Sequence, residues 1–284
     1  MRILVTGKNG QLGSEIKALE SMNLTIKFKF TDSKELDIRS REQLTEVVDK
    51  FNPDVLINCA AYTAVDLAED EAEKADDVNH KAVKLLAEIC SNKNIRLIHI
   101  STDYVFNGEK NIPYIESDQT DPVNEYGKSK LNGEISILES NVQAIIIRTS
   151  WVYSSFGNNF VKTMIRLGRD KDEINVVADQ YGSPTNAKDL AEACIYIALS
   201  DQKWKRGTEV YHYSNQGEIS WCQFAKEIMS IYNLNCEVKP ITTAQFPTKA
   251  KRPEFSTLNK DKIIQDFDLN IPDWNMSLRK NLLK

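Results

Sequence analysis

The stretch RILVTGKNGQLG, residues 2–13, decides the fold. Its first five residues form an apolar run suited to a strand covered on both faces. Gly7, Gly10 and Gly13 come next, and GQLGSEIKALE reads as a helix. Glycine lets the chain turn tightly, lets backbone approach a pyrophosphate, and lets a helix pack close to its strand. The helix N-terminus then offers unpaired N–H groups and partial positive charge to phosphates. At the opening of a β-α-β run this spacing predicts a dinucleotide site, the alternative being a tight turn with no ligand.

The alternation continues along the chain. Strands are expected at LTIKFKFT (24–31), DVLINCAA, IRLIHIST and QAIIIRTS (143–150). Between them lie helical patterns: SREQLTEVVDKF (40–51), with a serine and a glutamate at capping spacing and Asn52-Pro53 to stop it; DEAEKADDVNHKAVKLLAEIC, one long helix or two abutting ones; and a helix carrying Tyr126. This order predicts an α/β fold, a doubly wound parallel sheet with helices on both faces. We expect a dinucleotide-binding domain over 1–150 and a mainly substrate-binding region over 151–284, with elements near 170–215 interleaved with the sheet. In that second part NNFVKTMIRLG, NAKDLAEACIYIALS and SWCQFAKEIMSIY read as helices, INVVAD and TEVYHYSN as strands, and the tail as broken by prolines.

Composition narrows the function. The chain has 284 residues, 41% hydrophobic and 27% charged, as in a globular protein. A net charge of −5 argues against nucleic acid as partner. No apolar run reaches membrane-spanning length, and the N-terminus reads as a strand rather than a leader. Five scattered cysteines without a C-x-x-C pair, and three histidines, make a zinc site improbable and fit a reducing cytoplasm.

Two further stretches carry chemistry. HISTDYVFNG ends the fourth strand, where ligands of an open parallel sheet sit, and its Thr102 hydroxyl suits a substrate carbonyl or a simple cap. In NEYGKSKLNGE, Tyr126 and Lys130 are four residues apart, so they share a helix face. An ammonium there favours phenolate and is expected to pull the tyrosine below its ordinary pKa of about 10. Asp32, after the second strand, suits a ribose 2′-hydroxyl, whereas Ser33 and Lys34 beside it suit a 2′-phosphate. Both NADPH and NADH are therefore expected to bind, with a lean to NADPH.

TGKNGQLG, NCAAYTAVDLAE, STDYVF, YGKSK and RTSWVY occur in this order. Together they resemble the extended short-chain dehydrogenase/reductase family, and the likeness runs on through ADQYGSPT and KRPEFSTLN. STDYVF followed by YGKSK is similar to its nucleotide-sugar branch. The resemblance implies a Rossmann-type fold and NAD(P)H-dependent reduction of the C4 keto group of dTDP-4-dehydro-L-rhamnose, a step toward cell-surface polysaccharide. Epimerases, dehydratases and talose-forming reductases of the same family carry similar motifs, and a non-catalytic dinucleotide sensor is a more distant alternative.

The resemblance further implies residue roles. The catalytic set would be Thr102, Tyr126 and Lys130. Gly7, Gly10, Gln11 and Leu12 would hold the cofactor phosphates, Asp37 and Ile38 the adenine end, and Ala60, Ala61 and Thr63, with Tyr126 and Lys130, the ribose and nicotinamide. Thr102, Asp103, Tyr104, Trp151, Asn159, Gln180 and Arg252 would meet the substrate. Trp151 otherwise packs in a core, and Asn159 otherwise caps a helix. Arg252 suits bidentate phosphate contact, reinforced by Lys249 and Lys251, although a basic run is often a solvated face. Some family members bridge a homodimer with magnesium through three glutamates. Here the matching positions are Glu15, Lys188 and Asn275, so no structural magnesium is expected and the chain is expected to be a monomer or a homodimer.

Overall fold

Residues 2–13 fold as strand, turn and helix in the computed structural model, which describes residues 1–282. The first half carries β1 (Arg2–Thr6), α1 (Gln11–Ala18), β2 (Lys27–Thr31), α2 (Arg41–Phe51), β3 (Val55–Asn58), α3 (Val65–Ala68), α4 (Ala72–Asp76), α5 (Ala82–Asn92), β4 (Arg96–Thr102), α6 (Glu125–Leu138) and β5 (Ala144–Thr149). The second half adds β6 (Val152–Tyr153), α7 (Phe160–Asp170), β7 (Glu173–Val177), β8 (Tyr181–Gly182), β9 (Thr185–Asn186), α8 (Ala187–Leu199) and β10 (Thr208–His212). β11 (Ile219–Ser220), α9 (Trp221–Ile231), β12 (Glu237–Ile241), α10 (Asp261–Phe267) and α11 (Trp274–Leu282) complete it.

The main sheet has six parallel strands in the order β2-β1-β3-β4-β5-β10. The chain leaves β1 for β2 on one side, then returns to β3 on the other. Loops after β1 and β3 therefore diverge, which opens a crevice at the carboxyl edge of the sheet. Alternate residues feed two apolar layers. Ile3, Val5, Ile57, Ile98 and Ile147 meet Leu190 and Cys194 of α8 on one face. Leu4, Leu56, Leu97 and Ile146 meet Leu44 of α2 and Leu86 of α5 on the other. Both faces are covered, so β3 and β5 are buried along their whole length. A third apolar cluster joins Met164 of α7, Ile174 of β7, Phe224 of α9 and Val238 of β12 outside the sheet.

Several expectations are corrected in detail. The second strand begins at Lys27, because Ile26 N–H closes a turn onto the Asn23 carbonyl and Leu24 is left exposed. Ser40 does cap α2, accepting from Gln43 N–H; the glutamate, Glu42, stands one place too early for a capping box. The long helix is continuous, but a π-helical turn at Asp77–Lys81 widens it between α4 and α5. The proline-broken tail contains a real strand, β12, in which Pro240 is tolerated because β12 pairs only with β7 and so lies at an edge.

Candidate active site

The phosphate turn is shaped by contacts that leave no room for side chains. Gly7 has φ +72°, and a Cβ there would lie 2.7 Å from the Ala60 nitrogen. A Cβ on Gly13 would lie 2.3 Å from the Gly7 carbonyl oxygen. Gly10 is the N-cap of α1 and has no side chain to satisfy the first-turn N–H groups, which leaves them to an anion. Leu12 is buried against the sheet. Gln11 reaches the other way: its Nε2 donates to the Val152 carbonyl and its Oε1 accepts from Asn159 Nδ2. Ala60 and Ala61 are half-buried across from Gly7, and Thr63 is exposed beyond them.

Asp37 and Ile38 follow β2, with Ile38 buried. Asp37 is held by the Arg39 guanidinium at 2.8 Å, which lowers its pKa from the ordinary value. Asp32 is also committed. Its carboxylate accepts from Asn9 Nδ2 and from the N–H groups of Lys34 and Glu35, with Lys8 Nζ at 3.6 Å. The acidic residue expected to greet a 2′-hydroxyl is thus spent on its own turn, with two lysines beside it.

At the ends of β4 and α6 the reactive hydroxyls converge. A Cβ on Gly127 would lie 2.3 Å from the Tyr104 carbonyl oxygen, so the first turn of α6 presses on the segment after β4. The Thr102 hydroxyl lies beside the Tyr126 phenol, whose ring meets Tyr104 edge-on at 5.6 Å between centroids. Asn124 caps α6 through Gly127 N–H. The π-turn helps hold this arrangement: it turns Asn79 inward, where the amide bonds both backbone groups of Tyr62 and the Ser129 hydroxyl of α6.

The electrostatics differ from the expectation that Lys130 lowers Tyr126. Burial pushes Tyr126 up to about 12, with the Thr102 hydroxyl pulling the other way. Burial also pulls Lys130 down to about 8, and Glu134 one turn along α6 opposes it. Lys130 Nζ donates to the Ile100 carbonyl at 2.7 Å and lies 3.3 Å from His99 Nε2. Asp103 is pushed up to about 6 by burial; its Oδ1 accepts from Thr102 at 3.0 Å, while Oδ2 has no hydrogen-bond partner among the described residues.

Two of the expected substrate residues reach a cavity of about 390 Å³. Gln180 and Arg252 line it, together with Phe160, Met164, Trp221, Phe246 and Thr248. Arg252 makes a bidentate pair with Asp66 of α3, at 2.7 and 3.2 Å. Lys249 pairs with Asp70 at the surface, and Lys251 is exposed. Trp151 is not on the cavity wall: its indole stacks on Trp221 at 3.4 Å, over Gly182, with a strained φ of +48°. Asn159 caps α7 and ties it to Gln11. His99 and Asn58, single polar residues inside apolar strands, and Asn79, in a polar stretch of helix, escape a reading of the sequence, as do Trp221 and Phe160, whose spacing reads as ordinary helix core. Among the described residues no three His, Cys, Asp or Glu converge on a metal site. Glu15 is buried and accepts from Ser154 instead.

Comparison with known proteins agrees with this geometry. A family model described as the RmlD substrate binding domain matches residues 1–284. A dTDP-4-dehydrorhamnose reductase of Sinorhizobium fredii is 42% identical, covering 99% of this chain and 96% of that protein. The Escherichia coli protein of the same name is 36% identical, covering 99% and 97%. A crystal structure of dTDP-4-dehydrorhamnose reductase from Bacillus anthracis in complex with NADP superposes with a TM-score of 0.93 at 38% identity, covering 99% of this chain and 98% of that one. With its glycine turn, its Thr102–Tyr126–Lys130 edge and its full-length match, the chain belongs to the RmlD substrate binding domain family of extended short-chain dehydrogenases/reductases.

Proposed function

We propose that this chain is an NADPH-dependent reductase that converts dTDP-4-dehydro-L-rhamnose to dTDP-L-rhamnose, a precursor of cell-surface polysaccharide. The observation that carries this reading is the Thr102 hydroxyl beside the buried Tyr126 phenol, with the buried Lys130 one helical turn along α6, in a chain that also has the glycine turn after β1.

The turn fits a dinucleotide, since side chains at Gly7 or Gly13 would collide with its own backbone and open it, and Gly10, the N-cap of α1, leaves the first-turn N–H groups without a side-chain cap. Gly7, Gly10, Gln11 and Leu12 hold the phosphates, Asp37 and Ile38 the adenine end, and Ala60, Ala61 and Thr63 the nicotinamide side. NADPH, when bound, supplies the hydride for C4. Lys8 and Lys34 favour the 2′-phosphate, because Asp32 already accepts from Asn9 Nδ2 and from the Lys34 and Glu35 N–H groups, and NADH is accepted more weakly.

The protein supplies the proton. With its pKa near 12, Tyr126 is a phenol at neutral pH and carries the proton the sugar oxygen needs. Thr102 orients that oxygen by sharing the hydrogen bond. As Tyr126 gives up its proton, the Lys130 ammonium one turn away stabilises the phenolate. Phe160, Trp221 and Phe246 take the base, Gln180 and Arg252 the nucleotide diphosphate, and Trp151, Asp103, Tyr104 and Asn159 border the sugar. The enzyme works in the cytoplasm as a monomer or a homodimer.

Supplying dTDP-4-dehydro-L-rhamnose with NADPH and identifying the product sugar tests the reading. One NADPH consumed per rhamnose formed is expected. Product without net NADPH loss would mean an epimerase or dehydratase, a talose product the opposite stereochemistry, and no turnover a sensor.

A further inference from the structure

One buried titratable group has no part in the steps above. His99, on β4, is fully buried, and burial holds its imidazole neutral. A neutral imidazole has one N–H and one acceptor nitrogen. Asn58 on β3 decides which is which. Its Oδ1 accepts from the Ala60 N–H at 3.2 Å and from the Thr6 hydroxyl at 2.6 Å. A backbone N–H can only donate, so the amide cannot be turned round. The Asn58 Nδ2 therefore donates to His99 Nδ1 at 3.0 Å. The imidazole proton is left on Nε2, and Nε2 faces Lys130 Nζ at 3.3 Å.

An ammonium and an N–H cannot bond to each other, because both are donors. A neutral amine can accept from His99 Nε2–H while donating to the Ile100 carbonyl. The other charged groups near Lys130 do not relieve this conflict. Glu134 is the nearest carboxylate, but Arg148 engages both its oxygens and Ser101 donates to it. Tyr126 on the same helix is a neutral phenol, Asn79 and Ser129 are uncharged, and Asp103 accepts from the Thr102 hydroxyl.

We propose that Thr6, Asn58 and His99 form a tautomer lock that makes Lys130 a proton-exchanging group rather than a permanent cation, and that cofactor binding draws a proton onto it. His99 and Asn58 are positioning residues in this scheme. It rests on the reading of Lys130 as a cofactor contact. Burial by itself brings Lys130 down to about 8, and the His99 N–H facing its Nζ acts in the same direction.

Two measurements test it. The chain has three histidines, so long-range proton–nitrogen NMR of the protein alone, with His99→Gln to assign the signal, can read each tautomer. His99 is expected as the Nε2–H form from pH 6 to 9. An Nδ1–H form or an imidazolium would overturn the lock whatever the enzyme's function. The second measurement is the dissociation constant of NADH against pH, because NADH has no 2′-phosphate to titrate. Affinity should fall roughly tenfold between pH 8 and pH 9.5. In Asn58→Asp the new carboxylate accepts from Nδ1–H, Nε2 becomes an acceptor, and the fall should move up by about one pH unit or more. His99→Gln, whose amide oxygen can face the ammonium, should do the same. An unshifted fall in both folded variants, or none in the parent protein, would overturn the proposal; absence of both NADH and NADPH binding at every pH would instead strike the proposed function.

Discussion

The molecule contains two kinds of binding region. At the carboxyl edge of the main sheet the geometry is made by backbone: Gly7 against Ala60, Gly13 against Gly7, Gly127 against Tyr104. In the cavity region it is made by side chains brought from far apart, held by two-residue strands such as β8 with β11 and by single bridges such as Tyr181 to Phe255. A backbone-built site tolerates almost no change, because a collision with main chain cannot be relieved by a rotamer. A side-chain-built site can repack. In the proposed reading the first region carries the reduction and the second carries substrate choice.

The sharpest way to break this comparison is at the edge itself. Tyr126→Phe should lower turnover by about 100-fold or more and leave NADPH affinity nearly unchanged, because only the proton donor is lost. Stopped turnover measurements beside a fluorescence titration of NADPH would check it, and near-normal turnover would remove Tyr126 from its role. Gly13→Ala should weaken NADPH binding by about tenfold or more, since the new methyl meets the Gly7 carbonyl at 2.3 Å and the turn must open. Its effect on the nucleotide-sugar KM should be small, which would confirm that the two regions are separable.

Legibility in the sequence follows the same division. The β-α-β order, the glycine turn and the Tyr126–Lys130 spacing were readable because backbone requirements restrict residue type at fixed offsets. The ends of β2 and the π-turn were not, since hydrogen bonds to distant segments set them. Asn79 looks like any helix residue until the widened turn aims it at Tyr62 and Ser129. The pKa of Tyr126 was read in the wrong direction because a lysine at one helical turn was visible and burial was not. In the cavity region Arg252 could be named, but its partner Asp66 lies 186 positions earlier and no local pattern links them. Trp151 stacks on another indole, Trp221, 70 positions later, and no local pattern links the two.

A milder change sharpens the substrate side. Arg252→Ala should raise KM for the nucleotide sugar by roughly tenfold, the scale of one charged contact to phosphate, with kcat and NADPH affinity little altered. An unchanged KM would leave Arg252 as a structural partner of Asp66 alone.

The smallest expected effect is on stability, and it links the two regions through Asp103. Its carboxyl is pushed up to about 6 from an ordinary 3.8, so the folded chain binds more protons than the unfolded chain between those values. Stability attributable to this group therefore falls as pH rises from about 4 to about 6, and the full penalty remains above that. Two pKa units correspond to about 3 kcal/mol. Asp103→Asn removes the buried charge, and thermal melts should show it more stable than the parent at pH 8 by about 1–3 kcal/mol, with the gain gone by pH 4. An equal gain at both pH values would mean that the charge is not the cause. If the gain at pH 8 comes with reduced turnover, the buried carboxylate is retained at the site for catalysis at the expense of stability, as strained and desolvated groups at reactive edges commonly are.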